Sequence, residues 1–312
     1  MDVSIVIVSW NTREVLRNCL NSIFAETNGI HFEIFVVDNN SADKSQEMVF
    51  QHFPNVKLIR NSTNRGFAAA NNQAIRLATG RYILLLNPDT IILDNAITRC
   101  ISYADRRTDI GALGCQVLEG DERIQRTGFA FPTPWRLFLI QSGLSRAFPQ
   151  SRIFGRPELG WWDRNSDMEL DVTSGMFMLV RREALEQVGL LDESYFVYTE
   201  EADWCYQLAR KGWRRVFTTC ARIVHLDGGS KSTSQVSTKM YVQIQKSMLI
   251  YFKKNLGIRS WLVGKVIYIG ANLIRAIAWY LQSVPNHDAL LRQRSFAALA
   301  ALRFHVLGIE PL

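Results

Sequence analysis

The sequence predicts an α/β fold: a doubly wound, mostly parallel sheet flanked by helices, with a C-terminal amphipathic helical region. Three observations predict it. Short apolar, β-rich runs alternate with helix-period segments from the N-terminus, each run ends in a polar cluster, and the residues after 240 turn apolar and basic. The 312 residues, 47% hydrophobic and 21% charged, allow two domains and a sizeable core, and exclude disordered and fibrous classes.

The strand-like runs are 3–8 (VSIVIV), 32–37 (FEIFVV), 56–59 and 82–86 (YILLL), and the helix-period segments between them are 14–25, 44–52 and 67–78. Strict alternation argues for parallel strands covered on both faces, so ligands are expected beyond the carboxyl ends of the strands. After a further strand at 111–118, residues 131–171 read as an irregular aromatic insert containing Trp135, Phe138, Phe148, Phe154, Trp161 and Trp162, suited to an acceptor-side wall. Regular spacing resumes at 171–181, through helices to Lys211, and in strands at 214–218 and 221–224 that lead into His225.

The five cysteines are odd in number, dispersed and free of any C-x-x-C pair, which speaks against a disulfide framework or zinc cluster and for a reducing, cytosolic setting. The N-terminus lacks the basic start of a signal peptide. The net charge of +7 is unevenly spread: from Tyr241 onward there are nine Lys or Arg against two acids, whereas residues 1–240 balance. Expected domain boundaries follow, with 1–235 as the catalytic body and 236–312 as a cationic helical region.

Residues 261–281 (WLVGKVIYIGANLIRAIAWYL) are as long as a membrane span yet contain Lys265, Asn272 and Arg275. At about 100° per residue these lie within about 80° of one another, and Lys254 shares their stripe. Such a helix suits the plane of an anionic membrane surface; the alternative is a helix packed on the body with its stripe to solvent. A true span would bury two charges in hydrocarbon, and no nucleic-acid motif accompanies the basic tail, so no nucleic-acid partner is expected.

Candidate functional residues sit at the strand ends. Asp89 closes the fourth strand after Asn87-Pro88, where it can ligate Mg²⁺ or Mn²⁺ or form a local turn. Asp38, one strand over, can accept from a nucleoside or brace a turn, and Arg65 can meet a base or phosphate or remain a solvated cation. Glu200, Glu201 and Asp203 crowd a helix start, which suits either a general base or a favourable dipole interaction. His225 can ligate metal or serve packing. There is no G-x-G-x-x-G after the first strand and no G-x-x-x-x-G-K-[ST], which removes the main signals for a dehydrogenase and an ATPase.

In order along the chain, VSIVIVSWN (3–11), VVDNNSAD (36–43), NRGFAAANN (64–72), LLLNPDT (84–90), SGMFMLVRREALEQVGLLDE (174–193), YTEEADW (198–204) and HLDGGS (225–230) resemble inverting family 2 glycosyltransferases of the GT-A fold, nearest their rhamnosyltransferase-like bacterial branch. The resemblance implies that Asp38 holds the nucleoside with Ser9 and Asn11 nearby, that Arg65 and Gly66 form the donor-binding turn, and that Gly175 lies by the donor sugar. It implies Asp89 and His225 as metal ligands and Glu201 as base, with Asp203 a rival. Two departures stand out: Asn87 replaces the first acid of D-x-D, and the acidic pair is Glu200-Glu201, which makes the base one methylene longer. The implied reaction moves a sugar from a dTDP- or UDP-linked donor, rhamnose first, to a glycan or polyprenyl-linked glycan at the cytosolic face of the cell membrane. A sugar nucleotidyltransferase and a non-catalytic membrane-attached scaffold are the alternatives.

Overall fold

A computed structural model describes residues 1–226 and 238–311. Strand β1, Val3–Ser9, is buried along nearly its whole length, as expected of a strand with neighbours on both edges and helices on both faces. Its neighbours are β2, Phe32–Asp38, and β4, Tyr82–Leu86, and β3, Lys57–Arg60, pairs beyond β2. All four strands are parallel, joined through helices α1 (Arg13–Glu26), α2 (Ser45–His52) and α3 (Phe67–Ile75). Ile5, Ile7, Leu16, Leu20, Ile34 and Leu84 share one continuous core, none more than 2% exposed.

The second half of the sheet departs from a purely parallel pattern. It comprises β5 (Thr90–Ile92), β6 (Ile110–Glu119), β7 (Met168–Glu169), β8 (Phe177–Arg181) and β9 (Arg214–His225), and helix α4 (Ala96–Asp105) follows β5. The order is β3-β2-β1-β4-β8-β6-β9-β5, with β7 on β9. Strand β8 runs antiparallel to both β4 and β6, so its first residues arrive where β4 ends: Phe177 is opposite Leu86, and Asn87 N–H donates to Met176 O at 3.0 Å. The two strands expected at 214–218 and 221–224 are one, kinked where the register against β6 jumps from Thr218 to Arg222. Such a bulge interrupts the apolar pattern without ending the strand.

The chain divides into two units. The sheet unit holds 1–131, 162–196 and 200–231, including α7 (Arg182–Val188) and α8 (Glu200–Arg210). The helical unit holds 132–161, 197–199 and 232–312. Within the helical unit the insert is more regular than its composition suggests: it forms α5 (Pro134–Gln141), capped by Thr133 Oγ1 on Arg136 N–H at 3.2 Å, and α6 (Leu144–Ala147). The C-terminal part forms α9 (Thr238–Tyr251), a π-helical turn Phe252–Leu256, α10 (Gly257–Asn286) and α11 (Ala289–Leu307).

The polar stripe of α10 does not face solvent as a packed helix was expected to have it. Asn272 is fully buried, donating to Gln245 Oε1 at 2.8 Å and accepting from Tyr241 O–H at 2.8 Å. Arg275 donates to Gln141 Oε1 at 2.6 Å and to Gln141 O at 3.2 Å. Buried polar groups need partners, and those partners lie on α9 and α5, so the stripe turns inward and the opposite, apolar side of the helix is left exposed.

Candidate active site

The register Ser9 opposite Asp38, and Ile7 opposite Leu86, brings three polar strand ends to one rim of the sheet. Asp38 is 1% exposed. Its Oδ1 accepts from Ser41 N–H at 2.9 Å and Gln46 Nε2 at 2.7 Å, while its Oδ2 is buried without a protein donor. Ser9 shares a 2.9 Å hydrogen bond with Thr12 Oγ1, and its carbonyl receives Asn39 N–H at 2.8 Å. Asn11 braces the 38–42 loop: its N–H donates to Ser41 Oγ at 2.9 Å and its Oδ1 accepts Ala42 N–H at 2.7 Å.

The Arg65-Gly66 turn is fastened to β2 by a residue the sequence pattern gave no reason to single out. Asn39, 2% exposed, donates to Gly66 O at 3.1 Å and accepts Arg65 N–H at 3.4 Å and Asn61 Nδ2 at 2.9 Å. Gly66 has φ +80°, and a Cβ there would lie 2.2 Å from the carbonyl oxygen of Phe196, which accepts Phe67 N–H at 2.6 Å. Only glycine fits this turn. Arg65 itself is exposed.

Gly175 lies in the turn before β8, next to Met176, whose carbonyl accepts Asn87 N–H. A Cβ on Gly175 would meet Phe67 Cζ and Glu201 Cβ at ordinary van der Waals distance, 3.8 Å each, so Gly175 lies close to both α3 and α8. Glu201 is half-buried in the first turn of α8, whereas Glu200 and Asp203 are each only 3% exposed. Exposure thus separates the two candidate bases. One turn on, burial pushes the Cys205 thiol up to about 11, outweighing the Thr173 hydrogen bonds that oppose it, with a smaller upward push from the Glu201 carboxylate.

Asp89 and His225 meet because β5 pairs antiparallel with β9, putting Thr90 opposite His225. Leu226 N–H donates to Asp89 O at 2.9 Å, and His225 Nε2 lies 3.3 Å from Asp89 Oδ1. Both side chains are buried, at 8% and 0% exposed. His225 Nδ1 lies 3.1 Å from Gln125 Oε1, and Nε2 turns toward the carboxylate. An imidazole nitrogen facing a carboxylate oxygen is complementary to a cation, and one nitrogen plus one oxygen is a donor set that Mn²⁺ or Mg²⁺ accepts when a diphosphate completes the shell. Among the described residues no group of three or more His, Cys, Asp or Glu gathers as a complete metal site. Asp227 to Ser230, the rest of the HLDGGS run, lie outside the described residues. Behind the pair, burial pushes the Cys19 thiol up to about 12, and the Asp89 carboxylate adds to it, leaving an unreactive thiol.

The rim residues lie in sequence along it: Asp38 joins Gly66 through Asn39, Gly175 stands between Phe67 and Glu201, and Met176 hydrogen-bonds Asn87 beside Asp89 and His225. A glycosyl transferase family 2 profile matches residues 4–189, which span β1 to the end of α7. The chain belongs to glycosyl transferase family 2. It is 30% identical over 249 residues to the O-antigen biosynthesis protein RfbC of Myxococcus xanthus, covering 77% of this chain but 18% of that one. It is 26% identical over 210 residues to the N-acetylglucosaminyl-diphospho-decaprenol L-rhamnosyltransferase of Mycobacterium tuberculosis, covering 62% of this chain and 66% of that one. Rhamnosyltransferase WbbL of Escherichia coli is 26% identical, with 72% and 83% covered. The chain thus spans less than two thirds of the first two relatives. Among solved structures, the mannosyltransferase PcManGT from Pyrobaculum calidifontis, in complex with GDP-Man and Mn²⁺, aligns over 99% of this chain and 88% of its own with TM-score 0.56 and 15% identity. That likeness shows the GT-A fold.

Proposed function

We propose that the protein transfers a sugar, with inversion, from a nucleoside diphosphate donor to a hydroxyl of a lipid-linked glycan. The observation that carries this reading is the closeness of Gly175 to Glu201, with Met176 linking it to Asn87 and the Asp89–His225 pair. Asp38 Oδ2 accepts from the nucleoside, and the Arg65-Gly66 turn flanks the donor. Asp89 and His225 would hold Mg²⁺ or Mn²⁺, which when bound neutralises charge on the diphosphate. Glu201 takes the proton from the acceptor hydroxyl as oxygen attacks the anomeric carbon. Attack opposite the departing diphosphate inverts that carbon in one step, with no covalent enzyme intermediate.

The names of the mycobacterial and Escherichia coli relatives support rhamnose as the sugar, with dTDP as the first nucleotide to test and UDP the second, and the mycobacterial name supports a polyprenyl diphosphate-linked acceptor. Such an acceptor, with the apolar α10, supports a position at the cytosolic membrane face. A panel of dTDP- and UDP-sugars, scored by melting shift with and without Mn²⁺ and then by the anomeric configuration of the product, tests the reading. Retention of configuration, or no donor-dependent shift, refutes it.

A further inference from the structure

The helical unit has a composition and surface unlike those of the sheet unit. It holds fourteen Lys or Arg against three acids, a net +11, which leaves −4 on the sheet unit. The insert, with Arg136, Arg146, Arg152 and Arg156, belongs with the tail in this charge, which sequence order alone conceals. Two of the three acids have local roles: Asp288 caps α11 by accepting Leu291 N–H at 3.0 Å, and Glu310 pairs with Lys246.

The same unit carries 22 of the 28 exposed large hydrophobic side chains among the described residues, in 114 of the 312 positions. On α10 they fall on one side. Leu262, Val266, Leu273, Ile277, Leu281 and Val284 are each about half exposed or more and lie within about 100° of one another at about 100° per residue. Helix α11 shows Phe296, Leu299 and Val306 outward, interleaved with the exposed Arg292 and Arg303. On α5, Trp135 and Phe138 stack at 5.6 Å while remaining 54% and 41% exposed.

We propose that the outward sides of α10 and α11, with the Trp135–Phe138 ridge of α5, are the surface that seats this protein in the plane of an anionic lipid leaflet. This deepens the membrane placement proposed above and rests on that placement, not on the transfer chemistry. A soluble unit rarely leaves this much contiguous apolar surface to water. Lipid is favoured over a second copy by charge, since two faces of a +11 unit repel while anionic headgroups attract it. Lying flat is favoured over spanning because the other side of α10 is fixed to α9 and α5 through Asn272 and Arg275. Aromatic rings of the α5 kind settle at the headgroup level.

Flotation of the full chain with phosphatidylcholine vesicles, with and without about 30 mol% phosphatidylglycerol, tests the assignment. The protein is expected to float with the anionic vesicles only, and less at 1 M salt, where the screening length falls to about 3 Å. Leu273→Glu with Ile277→Glu on α10 is expected to cut the floated fraction about tenfold, and Trp135→Ser with Phe138→Ser about threefold. Melting temperature and nucleotide-induced melting shift are expected to stay unchanged in both variants, and transfer to a soluble acceptor in the α10 variant, which separates this proposal from the catalytic one. Wild-type protein that does not float, or variants that float as well as wild type, overturn it. So does a wild-type dimer in sedimentation that the α10 variant alone converts to monomer, which assigns the face to a second copy.

Discussion

Replacing Asp38 by Asn is expected to move stability and nucleotide affinity in opposite directions. Asp38 is buried; one oxygen takes two hydrogen bonds from the protein and the other takes none. An unmet buried polar atom costs on the order of 1–3 kcal/mol. Asparagine keeps the satisfied oxygen and removes the charge, so the ligand-free protein is expected to gain about 1 kcal/mol, roughly 2–4 °C of melting temperature. The nucleoside meanwhile loses a charge-assisted hydrogen bond worth about 2 kcal/mol, about thirtyfold in affinity. At a nucleotide concentration about 100 times the wild-type Kd, binding adds about 2.7 kcal/mol to wild type; at thirtyfold weaker affinity it adds about 0.9 kcal/mol. Thermal denaturation with dTDP and UDP should therefore show a ligand shift shrunken to about a third on a slightly raised baseline. A full ligand shift, or a baseline fallen by several degrees, would mean that Oδ2 serves the protein and not a ligand.

The other predictions concern the base, the histidine and acid stability. Glu201→Gln is expected to lower transfer by about 10²–10⁴-fold while leaving nucleotide-induced melting shifts intact, whereas Asp203→Asn, at a buried position, is expected to lower the melting temperature; the reverse outcome moves the base to Asp203. Gln125→Leu should weaken Mn²⁺ binding in the presence of nucleoside diphosphate about tenfold, read from the free-ion electron paramagnetic signal, with Gln125→Glu restoring it. Glu33 governs an acid limb. Burial pushes its carboxyl up, but Lys57 Nζ at 2.6 Å, Ser4 Oγ at 2.6 Å and Thr79 N–H at 2.7 Å outweigh that and hold it at about 2, below the ordinary 4.5. A depressed carboxyl stabilises the fold fully above about pH 4.5 and loses that contribution as pH falls toward 2, so Glu33→Gln is expected to cost about 3 kcal/mol near neutrality and to flatten the acid limb of a denaturation series.

The first four strands were legible because each is an unbroken apolar run ended by polar residues, and parallel pairing follows from the helices between them. The glycine at 66 was legible as a turn; that Phe196 O forbids any other residue there was not, because 130 residues separate the pair in sequence. Gln125 left no trace, since its bond to His225 depends on a hairpin, closed by Gln125 N–H to Val117 O at 2.8 Å, and on the β6–β9 pairing together. The bulge at 219–221 hid a single long strand as two. Periodicity revealed the two sides of α10 but not which one faces the protein.

By itself, then, the order of residues determined the α/β class, the polar strand ends and the family, because these rest on local spacing that every chain position carries. Tertiary structure alone decided that β8 runs backward to bring Gly175 beside Asn87, that Glu201 is accessible where Asp203 is sealed, and that the insert joins the cationic tail. Those outcomes depend on which distant surfaces satisfy one another's hydrogen bonds and exclude water together, and such pairings are energies of contact between segments, not properties of any one of them.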